Sequence, residues 1–130
     1  MTPPTVLIAD DDADLLDTLA LRCRGLGLQV ATADSALLAM QLIVDLDPDL
    51  VCLDVNMPGV SGLEVCSSLS CDERFAQMPV IILTCRTDPC VIRRCHELCA
   101  YYVLKDTDIW PRLEPLMREL LADRLLQAAR

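Results

Sequence analysis

Apolar runs of strand length alternate with segments of helical periodicity along the whole sequence. The five runs lie at residues 5–9, 29–32, 50–53, 79–84 and 100–104. Two of them, VLIA and VIIL, are continuous rather than alternating, which is typical of a parallel strand that is covered on both faces. The pattern therefore predicts five buried parallel strands.

The segments between and after these runs predict five helices, at residues 13–26, 35–46, 61–70, 88–98 and 112–128. Asp88 followed by Pro89 is a helix start signal. Because proline is tolerated only in the first turn of a helix, Pro115 predicts that the last helix begins near residues 112–114, after a separate turn around Trp110. Strands and helices in this order predict an α/β fold, with a five-stranded, doubly wound parallel sheet and helices on both faces.

The composition indicates a single globular domain with an acidic surface. The chain has 130 residues, of which 53% are hydrophobic, enough for one core. No apolar run approaches the roughly 18 residues that a membrane span needs, and the N-terminal MTPPT lacks the features of a secretory signal, so we expect a cytoplasmic protein. The net charge of −9 repels polyanions, which disfavours direct nucleic-acid binding by this chain.

Eight cysteines are an unusual number for a chain of this length. No pair has CxxC spacing, and a disulfide framework is not expected without an export signal. We interpret most of these cysteines as small buried residues rather than as zinc ligands, whose spacing is normally tighter. Cys85 is the one cysteine that we consider as a redox-sensitive thiol.

Polar residues stand at the ends of four of the predicted strands. Asp10 and Asp11 follow the first strand, Asp54 follows the third, Thr84 closes the fourth and Lys105 closes the fifth. Folds of this class carry their chemistry at the carboxyl ends of the strands, so we expect these side chains to meet at one edge of the sheet. Each alone would be an ordinary cap, turn or surface residue. Together they form the inventory of a phosphoryl-transfer and metal site.

Converging carboxylates need a compensating positive charge. Two like charges about 4 Å apart repel by roughly 4 kcal/mol at an effective dielectric of 20, so Asp10, Asp11 and Asp54 would raise one another's pKa unless a cation lay among them. A small, all-oxygen site that retains waters suits Mg²⁺ better than Ca²⁺. Lys105 adds a monovalent charge that can pair with Asp54 at rest. Asp12 is interpreted as the N-cap of the first helix.

Four segments carry a resemblance to a known family: VLIADDDADLL, PDLVCLDVNMPGVSGLEV, MPVIILTC and YYVLK. They make the sequence resemble the response-regulator receiver domains of two-component signalling, such as chemotaxis regulators. The resemblance implies a flavodoxin-like fold and one receiver domain over residues 1–130, with a core at about 5–121 and a helical C-terminal extension at 122–130. Leucines in and before this extension offer a candidate face for a homodimer or another partner: Leu120, Leu121, Leu125 and Leu126.

The resemblance also implies a role for each acidic residue. Asp54 resembles the phospho-acceptor of the family. Asp11 resembles the direct ligand of Mg²⁺, or of Mn²⁺ in its place, and Asp10 resembles the acid that holds the ion largely through water. Asn56 would supply its backbone carbonyl as a further metal ligand.

The implied mechanism is a phosphorylation switch. Asp54 would take a phosphoryl group from the phosphohistidine of a sensor histidine kinase or phosphotransfer protein, or from a small acyl phosphate. Thr84 and Lys105 resemble the residues that bind the phosphoryl group, and Tyr102 resembles the aromatic that turns inward when the threonine is recruited. Helix 4, strand 5 and helix 5 would then present a changed surface to a downstream effector. Asp106 departs from the family, which usually has proline after the lysine.

Two alternatives remain open at this point. A pseudo-receiver would share the fold but would act as a phosphorylation-independent protein-interaction module, and the complete set of two acids, threonine and lysine disfavours it. A magnesium-dependent phosphohydrolase with an aspartate nucleophile needs a second acid two residues later to protonate the leaving group. Asn56 occupies that position and cannot do so.

Overall fold

The structure, a computed structural model, describes residues 3–85, 88–106 and 108–128, with side chains as far as Arg124. Its elements alternate strictly between strand and helix. They are β1 Thr5–Ala9, α1 Ala13–Gly25, β2 Gln29–Ala33, α2 Ala36–Leu46, β3 Leu50–Asp54, α3 Gly62–Ser70, β4 Val80–Thr84, α4 Pro89–Glu97, β5 Tyr101–Leu104 and α5 Trp110–Ala128. Every strand lies within one residue of the bounds that the apolar runs predict.

All five strands are parallel, in the order β2-β1-β3-β4-β5. The chain proceeds from β1 to one edge of the sheet and then returns to β3 on the other side of β1. A crevice therefore opens at the carboxyl ends of β1 and β3, where ligands bind in folds of this class. The predicted doubly wound sheet is confirmed.

Side chains of the central strands divide the core into two layers. In β1, Val6 and Ile8 pack with α1 and α5, whereas Leu7 and Ala9 pack in the layer formed with α2, α3 and α4. All residues of β3 and β4 are buried. These strands contain continuous apolar runs because helices cover both of their faces, as the sequence predicts.

Polar caps fix where the helices begin. Asp12, Ser35, Ser61 and Asp88 are the N-caps of α1 to α4, and the side chain of each accepts a hydrogen bond from an amide of the first turn. Such caps satisfy backbone donors that have no partner inside the helix. The capping roles predicted for Asp12 and Asp88 are confirmed.

The predicted start of the last helix is wrong. Helix α5 begins at Trp110 and continues through Pro115. The Ile109 carbonyl accepts hydrogen bonds from Arg112 and Leu113, at 3.1 and 3.0 Å, so the first turn forms ahead of the proline. Buried side chains then recur at helical spacing on both sides of Pro115, at Leu113 and at residues 117, 120 and 121, so the packing of the apolar face outweighs the backbone donor that proline lacks. Leu120 and Leu121, which the sequence offered for a partner face, pack in the core instead. Residues 129 and 130, and the side chains of Leu125 and Leu126, lie outside the described part of the chain.

The interpretation of the cysteines holds for half of them. Cys23, Cys52, Cys66 and Cys95 are buried, and their burial raises the pKa of each thiol. The other four, Cys71, Cys85, Cys90 and Cys99, are exposed, so the buried cysteines are half of the eight and not most of them. All eight thiols are free. A redox role for Cys85 stays a prediction.

Candidate functional site

Four neighbouring strands bring polar residues to one edge of the sheet. Asp54 is the last residue of β3 and Thr84 the last residue of β4. Asp10 and Lys105 directly follow β1 and β5. Because β1, β3, β4 and β5 are consecutive in the sheet, the four residues lie side by side along its carboxyl edge.

Three carboxylates form the centre of this site. Asp10 is completely buried and Asp54 is 3% exposed, whereas Asp11 is exposed. One oxygen from each lies within 4.8 Å of the others. Two oxygens bound to one Mg²⁺ at about 2.1 Å lie no more than about 4.2 Å apart, so small side-chain movements would let all three share one ion. An all-oxygen, three-carboxylate set is the chemistry that a hard divalent cation requires.

The side chain of Lys105 lies between two of these carboxylates. Its Nζ is 2.7 Å from Asp10 Oδ2 and 3.4 Å from Asp54 Oδ2. The lysine therefore pairs with Asp54, as the sequence predicts, and more closely with Asp10. Burial alone would lower the pKa of Lys105, but the hydrogen bond to Asp10 and the charges of Asp54 and Asp10 outweigh it and raise the pKa. The ammonium group is therefore fully charged at neutral pH.

The pKa of Asp54 is raised to about 6. Burial is the main cause and the negative charge of Asp10 the second, while Lys105 and a hydrogen bond from the Asn56 amide oppose them. Burial destabilises the charged form of a carboxylic acid, and so does a neighbouring carboxylate. Asp54 is thus an ionised carboxylate at neutral pH, and a further cation beside it would stabilise its charged form.

Main-chain hydrogen bonds hold the site in place. Asp10 donates its N–H to the Ala33 carbonyl at 3.0 Å, and its Oδ1 accepts the N–H of Asp12 at 2.9 Å. The Lys105 N–H donates to the Thr84 carbonyl at 2.7 Å. The ends of β1 and β5 are thereby tied to their neighbours, which limits the positions open to the side chains that follow.

Two of the predicted site residues, Asn56 and Tyr102, are exposed. Asn56 is exposed in the loop after β3, and its backbone N–H donates to the Asp54 carboxylate. Tyr102 is exposed on β5, as is Tyr101 beside it. Thr84 is buried at the carboxyl edge. The structure brings Asp10, Asp11, Asp54 and Lys105 together. The roles that the sequence predicts for these four residues stay predictions, as do those of Asn56, Thr84 and Tyr102.

Sequence reasoning missed two features of the site. The Asp10–Lys105 pair joins residues far apart in the sequence, and no local pattern reveals it. The hydrogen bond from the Asp12 amide to Asp10 had a signal, because an aspartate commonly accepts the N–H of the residue two positions later. The two carboxylate oxygens of Asp10 therefore have different partners: the Asp12 amide and the Lys105 ammonium group.

A comparison with family models agrees with the fold. The family model for the response regulator receiver domain matches residues 6–109. The chain belongs to the receiver domain family of response regulators. The resemblance carried by the four sequence segments is thus confirmed, and so is the flavodoxin-like fold.

Relatives and solved structures agree with this assignment. The DNA-binding response regulator MtrA of Mycolicibacterium paratuberculosis is 37% identical over 83 residues, which are 64% of this receiver domain and 36% of MtrA. A crystal structure of a Chloroflexus aurantiacus protein from the response regulator class has a TM-score of 0.85 and 30% identity, over 93% of this chain and 99% of that one. Response regulator TrrA of Thermotoga maritima, in complex with Mg²⁺-BeF, has a TM-score of 0.79 and 25% identity, over 90% and 98%. The chain thus spans about a third of the length of such curated relatives.

No membrane-spanning helix occurs among the described residues. None of their helices combines the length and the apolar character needed to cross a bilayer.

Proposed function

We propose that this receiver domain is a switch that accepts a phosphoryl group on Asp54. One observation carries the proposal: a buried, ionised carboxylate lies beside two further carboxylates and a lysine ammonium group. A buried nucleophile surrounded by groups that can neutralise phosphoryl oxygens is what phosphoryl transfer requires. We extend the proposal to residues 1–130 as one domain, with a core at about 5–121 and a helical extension at 122–130.

The donor set fits a divalent cation. The carboxylates of Asp10, Asp11 and Asp54 and the main-chain carbonyl of Asn56 would hold Mg²⁺ or Mn²⁺. When bound, the ion would neutralise oxygens of the phosphoryl group and position it for transfer. The Mg²⁺-BeF complex of TrrA supports this assignment by similarity.

The residues of the chain then have distinct tasks in the transfer. An Asp54 oxygen attacks phosphorus, and the bond from phosphorus to the donor breaks, leaving its electron pair on the imidazole nitrogen of phosphohistidine or on the oxygen of a small acyl phosphate. The Lys105 ammonium group, already 3.4 Å from Asp54, contacts a phosphoryl oxygen. The Thr84 hydroxyl donates a hydrogen bond to the new group. The donor would be a sensor histidine kinase or a phosphotransfer protein.

The consequence of phosphorylation would be a changed binding surface. The phosphoryl group adds close to two negative charges and three acceptors. Movement of Thr84 towards it would open space for Tyr102, which is exposed in this structure, and would alter the surface of α4, β5 and α5. A downstream effector protein or domain would recognise that surface, since the acidic chain itself is poorly suited to bind nucleic acid directly.

Intact mass spectrometry after incubation with acetyl phosphate and Mg²⁺ tests the proposal. We expect the wild-type chain to gain one phosphoryl group and Asp54→Asn to gain none. Asp12→Asn is the matched control, because asparagine can keep the helix cap, and it should be phosphorylated like the wild type. Phosphorylation of Asp54→Asn would refute the acceptor assignment. A folded wild-type chain that gains no phosphate from this donor or from phosphohistidine would favour the pseudo-receiver.

A further inference from the structure

Helix α2 has more apolar surface than its core packing uses. Apart from one glutamine and one aspartate, all residues of ALLAMQLIVDL are apolar. Only Ala36, Ala39 and Ile43 are buried. A surface helix of a globular domain normally has polar residues on its outer face. In α2, four large apolar side chains are exposed instead: Leu37, Leu38, Val44 and Leu46.

One of these side chains, Leu37, lines a groove between α2 and α3. The groove has a volume of about 360 Å³, and its apolar lining includes Leu37 and Met40 of α2, Val65 of α3, and Pro58 and Val60 of the loop between β3 and α3. Val60 is exposed, like Leu37. Single exposed apolar side chains are ordinary, but two of them at the mouth of a groove with an apolar lining are typical of an interaction site.

The charge at the groove is negative. Neither α2 nor α3 contains a lysine or an arginine. Glu64 lines the groove and has no ion-pair partner among the described residues. The nearby Arg94 is paired with Glu97 at 3.0 Å, and Arg74 donates to the Val44 carbonyl at 2.9 Å. The groove therefore has apolar walls and, at its rim, an exposed carboxylate that forms no ion pair within the described residues.

We propose that this groove binds an amphipathic helix of another protein that carries lysine or arginine beside its apolar face. Apolar side chains at helical spacing would fill the space between α2 and α3, as in other helix-in-groove complexes. A basic residue of the partner would pair with Glu64, which would give orientation and selectivity. A second copy of this chain is a poorer occupant, because it would bring its own net charge of −9 against the same acidic rim.

The inference does not rest on the proposed phosphorylation. None of the residues that line the groove has a role in the transfer to Asp54. The groove is also open in this structure, so binding should not require phosphorylation. Asp54→Asn should consequently bind the partner helix as the wild type does.

Two leucines provide a matched pair of variants. Leu37 and Leu21 are both 72% exposed. Leu37 lines the groove, whereas Leu21 belongs to α1, which packs on the other face of the sheet. Leu37→Glu and Leu21→Glu add the same charge and remove the same side chain. Leu37 is the second residue of α2, where a negative charge stabilises a helix, so the variant should fold. Circular dichroism of both variants checks this.

Selection from a phage-displayed library of helical peptides, with the whole chain as target, tests the proposal. We expect enrichment of amphipathic peptides that contain lysine or arginine. A selected peptide, synthesised and measured by fluorescence anisotropy, should bind Leu37→Glu at least about tenfold more weakly than the wild type and Leu21→Glu within about twofold. Glu64→Lys should remove the preference for that peptide over its counterpart with glutamate in place of the basic residues.

Three results would overturn the proposal. They are the absence of any enriched peptide class, equal peptide affinity of the Leu37→Glu and Leu21→Glu variants, and an unchanged charge preference in Glu64→Lys. Analytical ultracentrifugation tests the remaining candidate occupant, a second copy of the chain. A wild-type dimer that is lost in Leu37→Glu and kept in Leu21→Glu would assign the groove to a second copy of the chain instead.

Discussion

Gly62 lies directly against the main-chain carbonyl group of Asp54. A methyl group on Gly62 Cα would overlap the Asp54 carbonyl oxygen and lie 2.9 Å from the carbonyl carbon. The Gly62 N–H also donates to the Val55 carbonyl at 3.1 Å, and the Val55 N–H donates to Leu83 of β4 at 3.0 Å. The start of α3 is thus packed onto the end of the strand that carries Asp54, and only a residue without a side chain fits there.

We expect Gly62→Ala to move this strand end and to disturb Asp54. The overlap is with main-chain atoms, which cannot rotate away, so the free energy of unfolding should fall by about 1–3 kcal/mol. Phosphate incorporation from acetyl phosphate should slow as well. Urea denaturation and timed mass spectrometry measure the two effects.

Gly25→Ala is the matched control for this prediction. Gly25 is the last residue of α1, and a Cβ there would have no atom within 4 Å. Alanine in a helix is more stable than glycine by up to about 1 kcal/mol, so this variant should be neutral or more stable. Equal stability of Gly62→Ala and the wild type would show that the contact between Gly62 and Asp54 is not tight.

The sequence predicts the fold well because local and long-range signals agree. The continuous run VIIL can be buried on both faces only in a central parallel strand, and β4 is such a strand. Pro115 shows where this agreement ends. Local propensity predicts a helix start at residues 112–114, but α5 begins at Trp110 and continues through Pro115, with Leu113 and Met117 buried before and after the proline. Tertiary packing outweighs local propensity at this position.

The sequence predicts which residues meet at the site, but it does not predict which of them form the closest ion pair. Asp10, Asp54 and Lys105 come to one edge because parallel strands end together. The distance of Lys105 from each carboxylate depends on side-chain orientation, and only the structure shows that Asp10 is the nearer partner. The groove beside α2 could not be predicted from the sequence either. In an almost wholly apolar helix, the sequence pattern does not reveal which residues remain exposed.

Replacement of Asp11 by alanine should change Mg²⁺ binding, whereas replacement of Asp12 should change stability. Asp11 supplies one of the three clustered oxygens, so Asp11→Ala should weaken Mg²⁺ binding at least about tenfold. Asp12 accepts hydrogen bonds from Asp14 and Leu15 as the cap of α1. Asp12→Ala should therefore lower stability by about 1 kcal/mol and leave Mg²⁺ affinity almost unchanged.

Calorimetric Mg²⁺ titration and chemical denaturation of the same two proteins provide the measurement. Each variant is the control of the other, because the two aspartates are adjacent in sequence and both are exposed. Equal losses of Mg²⁺ affinity would mean that the acidic cluster is assigned incorrectly.

Lys105 should stabilise the fold mainly through Asp10. Asp10 is completely buried, and the Lys105 side chain is 13% exposed, so Lys105→Met leaves a buried carboxylate without its nearest cation. Removing one partner of a buried ion pair costs about 3–5 kcal/mol. The double variant Asp10→Asn/Lys105→Met should recover much of this loss, because neither charge then remains uncompensated.

A double-mutant cycle in urea, with a chelator present, measures the coupling between these two residues. Asp54→Asn combined with Lys105→Met is the comparison, since Asp54 lies 3.4 Å from the lysine and Asp10 only 2.7 Å. We expect the larger coupling energy for Asp10. Coupling that is larger for Asp54 would reverse the assignment of the principal partner.

Asp54 should make the fold less stable as the pH rises. Its pKa is about 6 in the folded chain, against an ordinary value of 3.8. Between these pH values the folded state binds more protons than the unfolded state, so the free energy of unfolding falls from about pH 4 to about pH 6 and stays lower above it. At neutral pH the ionised Asp54 should cost on the order of 2–3 kcal/mol.

Asp54→Asn isolates this contribution, because asparagine has nearly the same shape and does not ionise. With a chelator present, the variant should be more stable than the wild type above about pH 6, and the difference should shrink as the pH falls towards 4. Saturating Mg²⁺ should reduce the difference at neutral pH, since a cation beside Asp54 favours its charged form. Urea denaturation at several pH values gives the profile. A stability difference that is the same near pH 4 and near pH 7 would mean that burial and Asp10 do not perturb Asp54, and that the carboxylate does not depend on a cation to neutralise it.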